Sequence, residues 1–253
     1  MIRINKMSTT IEEVSSQVDN KQEERKVTPK TIVVALHNNE YSINWLLCWT
    51  NLLGYCNQVG HKMIVSQSLT EFPFVCRNQC LGGNTIGGTT QKPFEGKLEY
   101  DYVLFLDGKT LFNPQMIQDL LDADVQVATA FHLVGGQSLN TVDVLDISIL
   151  RKGEAISPMK FEDYYTDKFE PKSKDLVKVE YTDFSCLLVQ KGLFENMTYP
   201  WFTAQMQEFV KDGTYIRDYS SEELSFCMDL KRQGVAIHAV PTVLVQRETR
   251  VIL

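Results

Sequence analysis

The sequence predicts a single α/β domain built on a mostly parallel central sheet flanked by helices. Three observations predict it. In residues 99–122, EYDYVLFLDGKTLFNPQMIQDLLD, five apolar residues (Tyr102 to Leu106) stop at Asp107-Gly108-Lys109, and Asn113-Pro114 then opens an amphipathic segment. Such a run reads as a strand covered on both faces, and Asn followed by Pro reads as a helix start. Strand-like and helix-like segments alternate from Thr31 to Phe131, which is the pattern of a parallel sheet with crossover helices. Finally, 253 residues with 43% hydrophobic and 23% charged side chains, and no internal repeat, suffice for one sizeable core.

Taken in order, residues 1–30 are polar and carry both charge signs, so a flexible leader is expected there and the domain over residues 31–253. TIVVAL, from Thr31, is the first strand and ends at His37-Asn38-Asn39. From about Glu40 to Gln58, Trp45, Trp49, Leu52, Leu53 and Cys56 recur at helical spacing, a stripe wide enough to pack on a sheet. Gly60 closes that helix, and Lys62 to Ser66 is a second strand. Glu71 to Leu81 carries Arg77-Asn78 and runs into a glycine-rich stretch, residues 82–90, that lacks the lysine and strand context of a phosphate-binding loop and reads as a mobile loop.

Beyond the central unit, Val125 to Phe131 is a further strand. The pattern then changes: Arg151-Lys152-Gly153 is hairpin-like, FEDYYTDKFEPKSKD is polar and exposed, and Val177 to Gln190 regains strand character. Tyr199-Pro200-Trp201-Phe202 follows, then a helix that opens at Ser220-Ser221-Glu222-Glu223 and stops at Gly234. Val235 to Val240 and Val243 to Gln246 are extended, with Pro241 between them.

The net charge of −7 gives no strong nucleic-acid signal and argues against coating an anionic membrane. No apolar run is long enough to span a bilayer, and the N-terminus lacks the apolar core of a signal peptide. The six cysteines sit mostly in apolar segments, and Cys76 and Cys80 have no second pair to complete a zinc site. Reduced thiols in a cytoplasmic protein are therefore expected.

Asp107 is the first functional candidate, because ligands of open α/β sheets bind beyond the carboxyl ends of such strands; the alternative is that Asp-Gly simply forms the turn. Glu223 stands at the last position of a capping box begun by Ser220, which is the reading the residues favour by themselves. Arg77 suits a surface salt bridge, and Trp201 with Phe202 suits the core.

Four pieces together resemble the GT-A glycosyltransferases, in particular short family-2-like enzymes of bacteria, phages and large viruses: TIVVALHNNE, YVLFLDGKTLFNP, VEYTDFSCLLVQKGLFENM with PWF after it, and SEELSFCMDLKRQGVAIHAVPTV. The resemblance spans about residues 31–246 and implies a GT-A-like, Rossmann-like sheet and sugar transfer, with inversion, from a nucleotide-sugar to a glycan, protein or modified-base acceptor. If the source is viral, the compartment is the host cytoplasm. In the family, Asp-x-Asp ends the central strand and holds Mn²⁺ or Mg²⁺ on the donor diphosphate. Here the matching positions are Asp107 and Lys109, and where the family often supplies a histidine this chain has Gln246 and Arg247. A charged lysine cannot ligate a metal, so Asp107 alone remains as a metal ligand, and Lys109 would instead face the diphosphate.

By the same resemblance Glu223, or its neighbour Glu222, is the base on the acceptor hydroxyl. Asn38, Asn39, Arg77 and Asn78 lie on the donor side, and Asp183, Ser185, Trp201 and Phe202 on the acceptor side. Lys109 and the missing histidine also fit a silent descendant that binds a nucleotide-sugar or glycan, or serves as a structural component. A nucleotidyltransferase is a third reading, poorly matched by HNNEYS after the first strand.

Overall fold

The computed structural model describes residues 27–37, 40–70, 72–134, 138–141, 158–211 and 213–248. The leader up to residue 26, Asn38 with Asn39, and the hairpin expected at Arg151-Lys152-Gly153 lie outside the described residues. The strands are β1 (Thr31–Leu36), β2 (Lys62–Gln67), β3 (Tyr102–Leu106), β4 (Thr110–Leu111), β5 (Val127–Val134), β6 (Ser138–Leu139), β7 (Val177–Val179), β8 (Cys186–Gln190), β9 (Met206–Lys211), β10 (Thr214–Tyr219) and β11 (Ile237–Arg247). The helices are α1 (Ile43–Val59), α2 (Pro73–Cys80), α3 (Pro114–Asp122), α4 (Phe161–Tyr164), α5 (Leu193–Asn196) and α6 (Glu222–Arg232).

The central sheet runs β2-β1-β3-β8-β5-β11-β4, with β6 on β5 and β7 on β11, while β9 and β10 form a separate ribbon. β2, β1 and β3 are parallel, as are β5 and β11; β8 runs against both of its neighbours. The carboxyl ends of β1, β3, β5 and β11 thus share one edge with the amino end of β8. That edge is where a parallel sheet presents its loops for binding.

Two-residue alternation divides the core into two layers. Ile32, Val34 and Leu36 of β1, with Tyr102, Leu104 and Leu106 of β3, meet Trp45, Leu52 and Cys56 of α1 and Ile117 and Leu120 of α3. Val33, Ala35, Val103 and Phe105 face the opposite layer, where Cys80 of α2 and Phe226 of α6 pack. Phe105 sits at its centre, with ring centroids of Phe184, Phe194 and Phe202 at 5.3, 6.2 and 5.5 Å. Burying one such ring contributes about 1.5–3 kcal/mol, so this cluster anchors the segments that carry the site.

Several boundaries differ from expectation for local reasons. α1 begins at Ile43 because the Ser42 hydroxyl accepts from the Trp45 amide at 3.0 Å, and it ends where Gly60 adopts φ +85°. Leu53, expected on its buried stripe, is exposed. The segment 177–190 is two strands, β7 and β8, divided at residues whose side chains bond locally: Asp183 Oδ1 accepts from the Ser185 amide and hydroxyl at 3.0 and 2.6 Å. The two C-terminal runs are one strand, β11, whose register against β5 shifts between Ala239 and Leu244 around Pro241, which has no amide hydrogen to donate. All six cysteines are free thiols.

Candidate active site

Four of the strands that point at the ligand edge bring a polar residue there: His37 follows β1, Asp107 follows β3, His132 lies near the end of β5, and Arg247 ends β11. Asp183 and Ser185, just before β8, arrive at the same edge because β8 is antiparallel. Asp107 is fixed through its backbone and its carboxylate. Its amide donates to the Ser185 carbonyl at 3.1 Å, and its carbonyl accepts from the Trp45 indole at 3.1 Å and the Thr110 amide at 3.0 Å. Its Oδ1 accepts from the Lys109 amide at 3.1 Å, and its Oδ2 pairs with Arg247 Nη2 at 3.0 Å. Asp107-Gly108-Lys109 is therefore a turn, as one of the two readings expected, and it also holds an ion pair at the ligand edge.

His132 supports the acceptor-side candidates. Its Nδ1 lies 3.1 Å from Ser185 Oγ and its Nε2 3.6 Å from Asp183 Oδ2, while Asn140 Nδ2 donates to Asp183 Oδ1 at 3.2 Å. Burial lowers the His132 pKa against the opposing pull of Asp183, which favours the neutral ring. Ser185 is buried and Asp183 is partly open, so within this network only the aspartate faces outward.

A second charged group forms where α2 meets the start of α6. The helix is capped by Ser221, whose hydroxyl accepts from the Leu224 amide at 3.2 Å. The capping box expected from Ser220 to Glu223 is therefore corrected: Glu222 and Glu223 are the first two helical residues, and the Ser220 hydroxyl instead meets Ser225 Oγ at 2.7 Å and the Gln205 carbonyl at 3.1 Å. Freed from capping, both glutamates turn to Arg77. Its Nη1 donates to Glu222 and its Nη2 reaches Glu223 Oε1 at 3.3 Å, while its guanidinium stacks 4.3 Å from the Phe184 ring. Arg77 is 4% exposed. A buried guanidinium needs counter-charge, and two adjacent carboxylates need a cation.

His37, just after β1, feels both charged groups. Its pKa is pushed down to about 4 by burial and by Arg77, against the pull of Asp107 and Glu222. At neutral pH it is uncharged, with a buried Nδ1 that has no hydrogen-bond partner among the described residues. The sequence reading passed over it, although a histidine directly after a core strand, as in TIVVALH, occupies the same kind of position as Asp107.

Other candidates serve the scaffold. Asn78 Oδ1 accepts from the amides of Trp201 and Phe202 at 2.9 and 3.2 Å, and its Nδ2 donates to the carbonyls of Phe74 and Phe202, both at 2.8 Å. Trp201 and Phe202 are 1% and 0% exposed. Trp201 and Phe202, placed on the acceptor side by the resemblance, are thus corrected to core, because their side chains are enclosed and Phe202 closes the aromatic cluster around Phe105.

Two clefts adjoin these groups. One of about 630 Å³ is lined by Phe74, Val75, Asn78, Gly83, Tyr199 and Thr203, and none of the charged groups enters it. Another, about 540 Å³, is lined by Met116, Leu133, Tyr165, Phe169, Leu244 and Arg247, and it reaches the charged edge through Arg247. The smaller cleft is better placed for chemistry, since the larger has only amide, hydroxyl and apolar walls.

No family model and no curated protein matches the chain. Among solved structures it is similar to GalNAc-T7 determined with UDP, GalNAc and Mn²⁺, with TM-score 0.52 and 10% identity over 88% of this chain and 44% of that one. The fold is GT-A-like. This chain spans less than half the length of that glycosyltransferase. It is also similar to A197 from STIV, with TM-score 0.49 and 10% identity over 88% of this chain and 96% of that one. On the GT-A-like sheet Asp107 follows the central strand β3, but its setting does not suit a divalent ion. Among the described residues no group of three or more His, Cys, Asp or Glu side chains could hold a metal, and Asp107 Oδ2 is taken by Arg247. Nor is any described helix long and apolar enough to cross a membrane.

Proposed function

We propose that this protein transfers a sugar from a nucleotide-sugar to an acceptor hydroxyl, with inversion, on a domain covering residues 31–253. The observation that carries the reading is that one edge of a GT-A-like sheet carries a cationic group (Lys109 and Arg247 around Asp107) and the partly open Asp183 carboxylate, with the Glu222 and Glu223 pair near enough that His37 feels both Asp107 and Glu222. Transfer needs both: positive charge to offset the departing nucleoside diphosphate, and a carboxylate to take the acceptor proton.

In this reading Asp107 organises the donor ribose or diphosphate and Lys109 offsets phosphate charge, with Asn38 and Asn39 on the nucleotide side. No step runs through a metal. Glu223 is the preferred base over Glu222, because it is the more exposed of the two (20% against 14%) and the more loosely held by Arg77. Arg77 acts as a positioning residue rather than a phosphate ligand, since its charge already faces both glutamates; Asn78 secures the loop behind it. Asp183 is the acceptor-side carboxylate, steadied by Ser185 and His132.

A second reading, a silent binder of nucleotide-sugars or glycans, is favoured by one observation: Asp107 and both glutamates already sit in internal ion pairs. A melting-temperature screen against UDP-, GDP-, CMP- and dTDP-sugars, followed by a turnover assay with the stabilising donor, separates the two, because a ligand of the native state raises the melting point. Stabilisation with acceptor-dependent release of the free nucleoside diphosphate, or of CMP from a CMP-sugar, supports the transferase. Stabilisation without turnover supports the binder, and no stabilisation by any donor defeats the transferase and the nucleotide-sugar binder alike, leaving only a glycan ligand.

A further inference from the structure

We infer that Arg247, held on Asp107, takes the place of a divalent cation and forms with Lys109 a metal-independent seat for a diphosphate. The inference rests on the proposed nucleotide-sugar site and names the group that binds its phosphates. β4 pairs antiparallel with the end of β11, matching Thr110 to Arg247 and Leu111 to Gln246, and the Glu248 amide donates to the Lys109 carbonyl at 2.9 Å. Arg247 is thus paired with Thr110, and Lys109, in the turn just before β4, lies across from Glu248, so the two cations stand diagonally on adjoining segments, one on each side of the Asp107 carboxylate that they both contact.

The carboxylate between them is fixed at both oxygens, by the Lys109 amide at 3.1 Å and Arg247 Nη2 at 3.0 Å. Left bare, it would repel a phosphate. Paired with Arg247, it orients a guanidinium whose side chain stays 44% exposed and which, among the described residues, directs a single hydrogen bond to Asp107. The planar fork leaves further donors for phosphate oxygens. Lys109 is exposed, and its ammonium makes no hydrogen bond or ion pair to a described residue.

Neighbouring charges do not cancel the seat. Glu248 turns away: its Oε1 accepts from Asn44 Nδ2 at 2.7 Å, and the Ser42 hydroxyl at the start of α1 holds its pKa down. His132 is kept neutral by burial. Asp107, Lys109 and Arg247 by themselves carry one net positive charge, from two cations and one carboxylate, while the Asp183 carboxylate on the same edge is engaged by Ser185, Asn140 and His132. A divalent ion would have to displace Arg247 and approach Lys109 as well, so it gains little there.

Calorimetric titration of the full-length protein with inorganic pyrophosphate, in EDTA and in excess Mn²⁺, tests the seat. The wild type is expected to bind in EDTA. R247Q and K109Q should each weaken binding on the order of tenfold or more, and R247K should recover part of the loss, as expected for charge-assisted contacts. Melting curves of the variants check that they remain folded. Binding that requires Mn²⁺, or R247Q binding like the wild type, overturns the inference, as does no binding in either condition. Pyrophosphate binding without turnover of any nucleotide-sugar would leave the seat standing and remove the transferase reading alone.

Discussion

Arg77 on α2 and Glu222 at the first position of α6, separated by 145 residues, share a charge-assisted hydrogen bond that is almost closed to solvent, and the same guanidinium reaches Glu223 at 3.3 Å. One cation thereby ties the amino end of the last helix to the layer beneath β1. Removing it leaves two adjacent carboxylates without counter-charge.

Substitution R77M is accordingly expected to destabilise the protein by about 3–5 kcal/mol, the usual cost of breaking a buried pair on one side. The triple variant R77M/E222Q/E223Q should recover much of that loss. Denaturant unfolding of the three proteins checks it; an R77M midpoint equal to the wild type would show that the pair does not hold the helix.

For catalysis, E223Q should lower turnover by roughly 10²–10⁴-fold while donor binding stays unchanged, because the amide keeps the shape but cannot take a proton. E222Q should affect turnover less and stability more, since Glu222 is the more enclosed partner of Arg77. Steady-state kinetics beside donor titration distinguishes these effects. A fully active E223Q would exclude Glu223 as the base.

At the seam between α2 and the Tyr199–Phe202 segment, N78A removes four hydrogen bonds and leaves the Trp201 and Phe202 amides buried without their acceptor. A loss of about 2–4 kcal/mol is expected, at about 1–3 kcal/mol for each unsatisfied buried group after partial relaxation. G83A strains the same seam, since an added Cβ would stand 2.7 Å from both the Asn78 carbonyl oxygen and the Tyr199 ring. Thermal melts should fall for both variants, and an unshifted G83A would mean the loop moves aside freely.

Acid should weaken the fold through His37. The unfolded chain protonates this ring near pH 6.5 and the native state only near 4, so between those values the unfolded state binds more protons and stability falls as pH drops. The full effect is about 3 kcal/mol. Unfolding free energies of wild type and H37Q at pH 7.5 and 5 test this: the wild type should lose more on acidification, and equal losses would remove His37 as the cause.

Much of the fold was legible because its elements are locally encoded. TIVVAL and YVLFL are strands by composition, Asn113-Pro114 starts α3 as read, and Gly60 stops α1. Asp107 could be placed at the ligand edge from its position after β3 alone. Legibility failed where two local signals competed: Ser220 and Ser221 both suit the start of α6, and only the packing of Ser220 against Gln205 and Ser225 selects Ser221 as the cap. Trp201 and Phe202 were ambiguous for a similar reason, because an aromatic pair looks the same on a surface and in a core until its neighbours are known.

By itself the sequence determined the alternation of strands and helices, the acid after the central strand, and the lysine two residues beyond it, since each depends on residues a few positions apart. Only the tertiary structure decided the partners of the charges: Arg77 with Glu222 and Glu223, Arg247 with Asp107, and His132 with Asp183 and Ser185. Coulombic and hydrogen-bond energies depend on distance in space and on exclusion of water, and for residues between about 50 and 150 positions apart both are set by how the sheet brings its strand ends together.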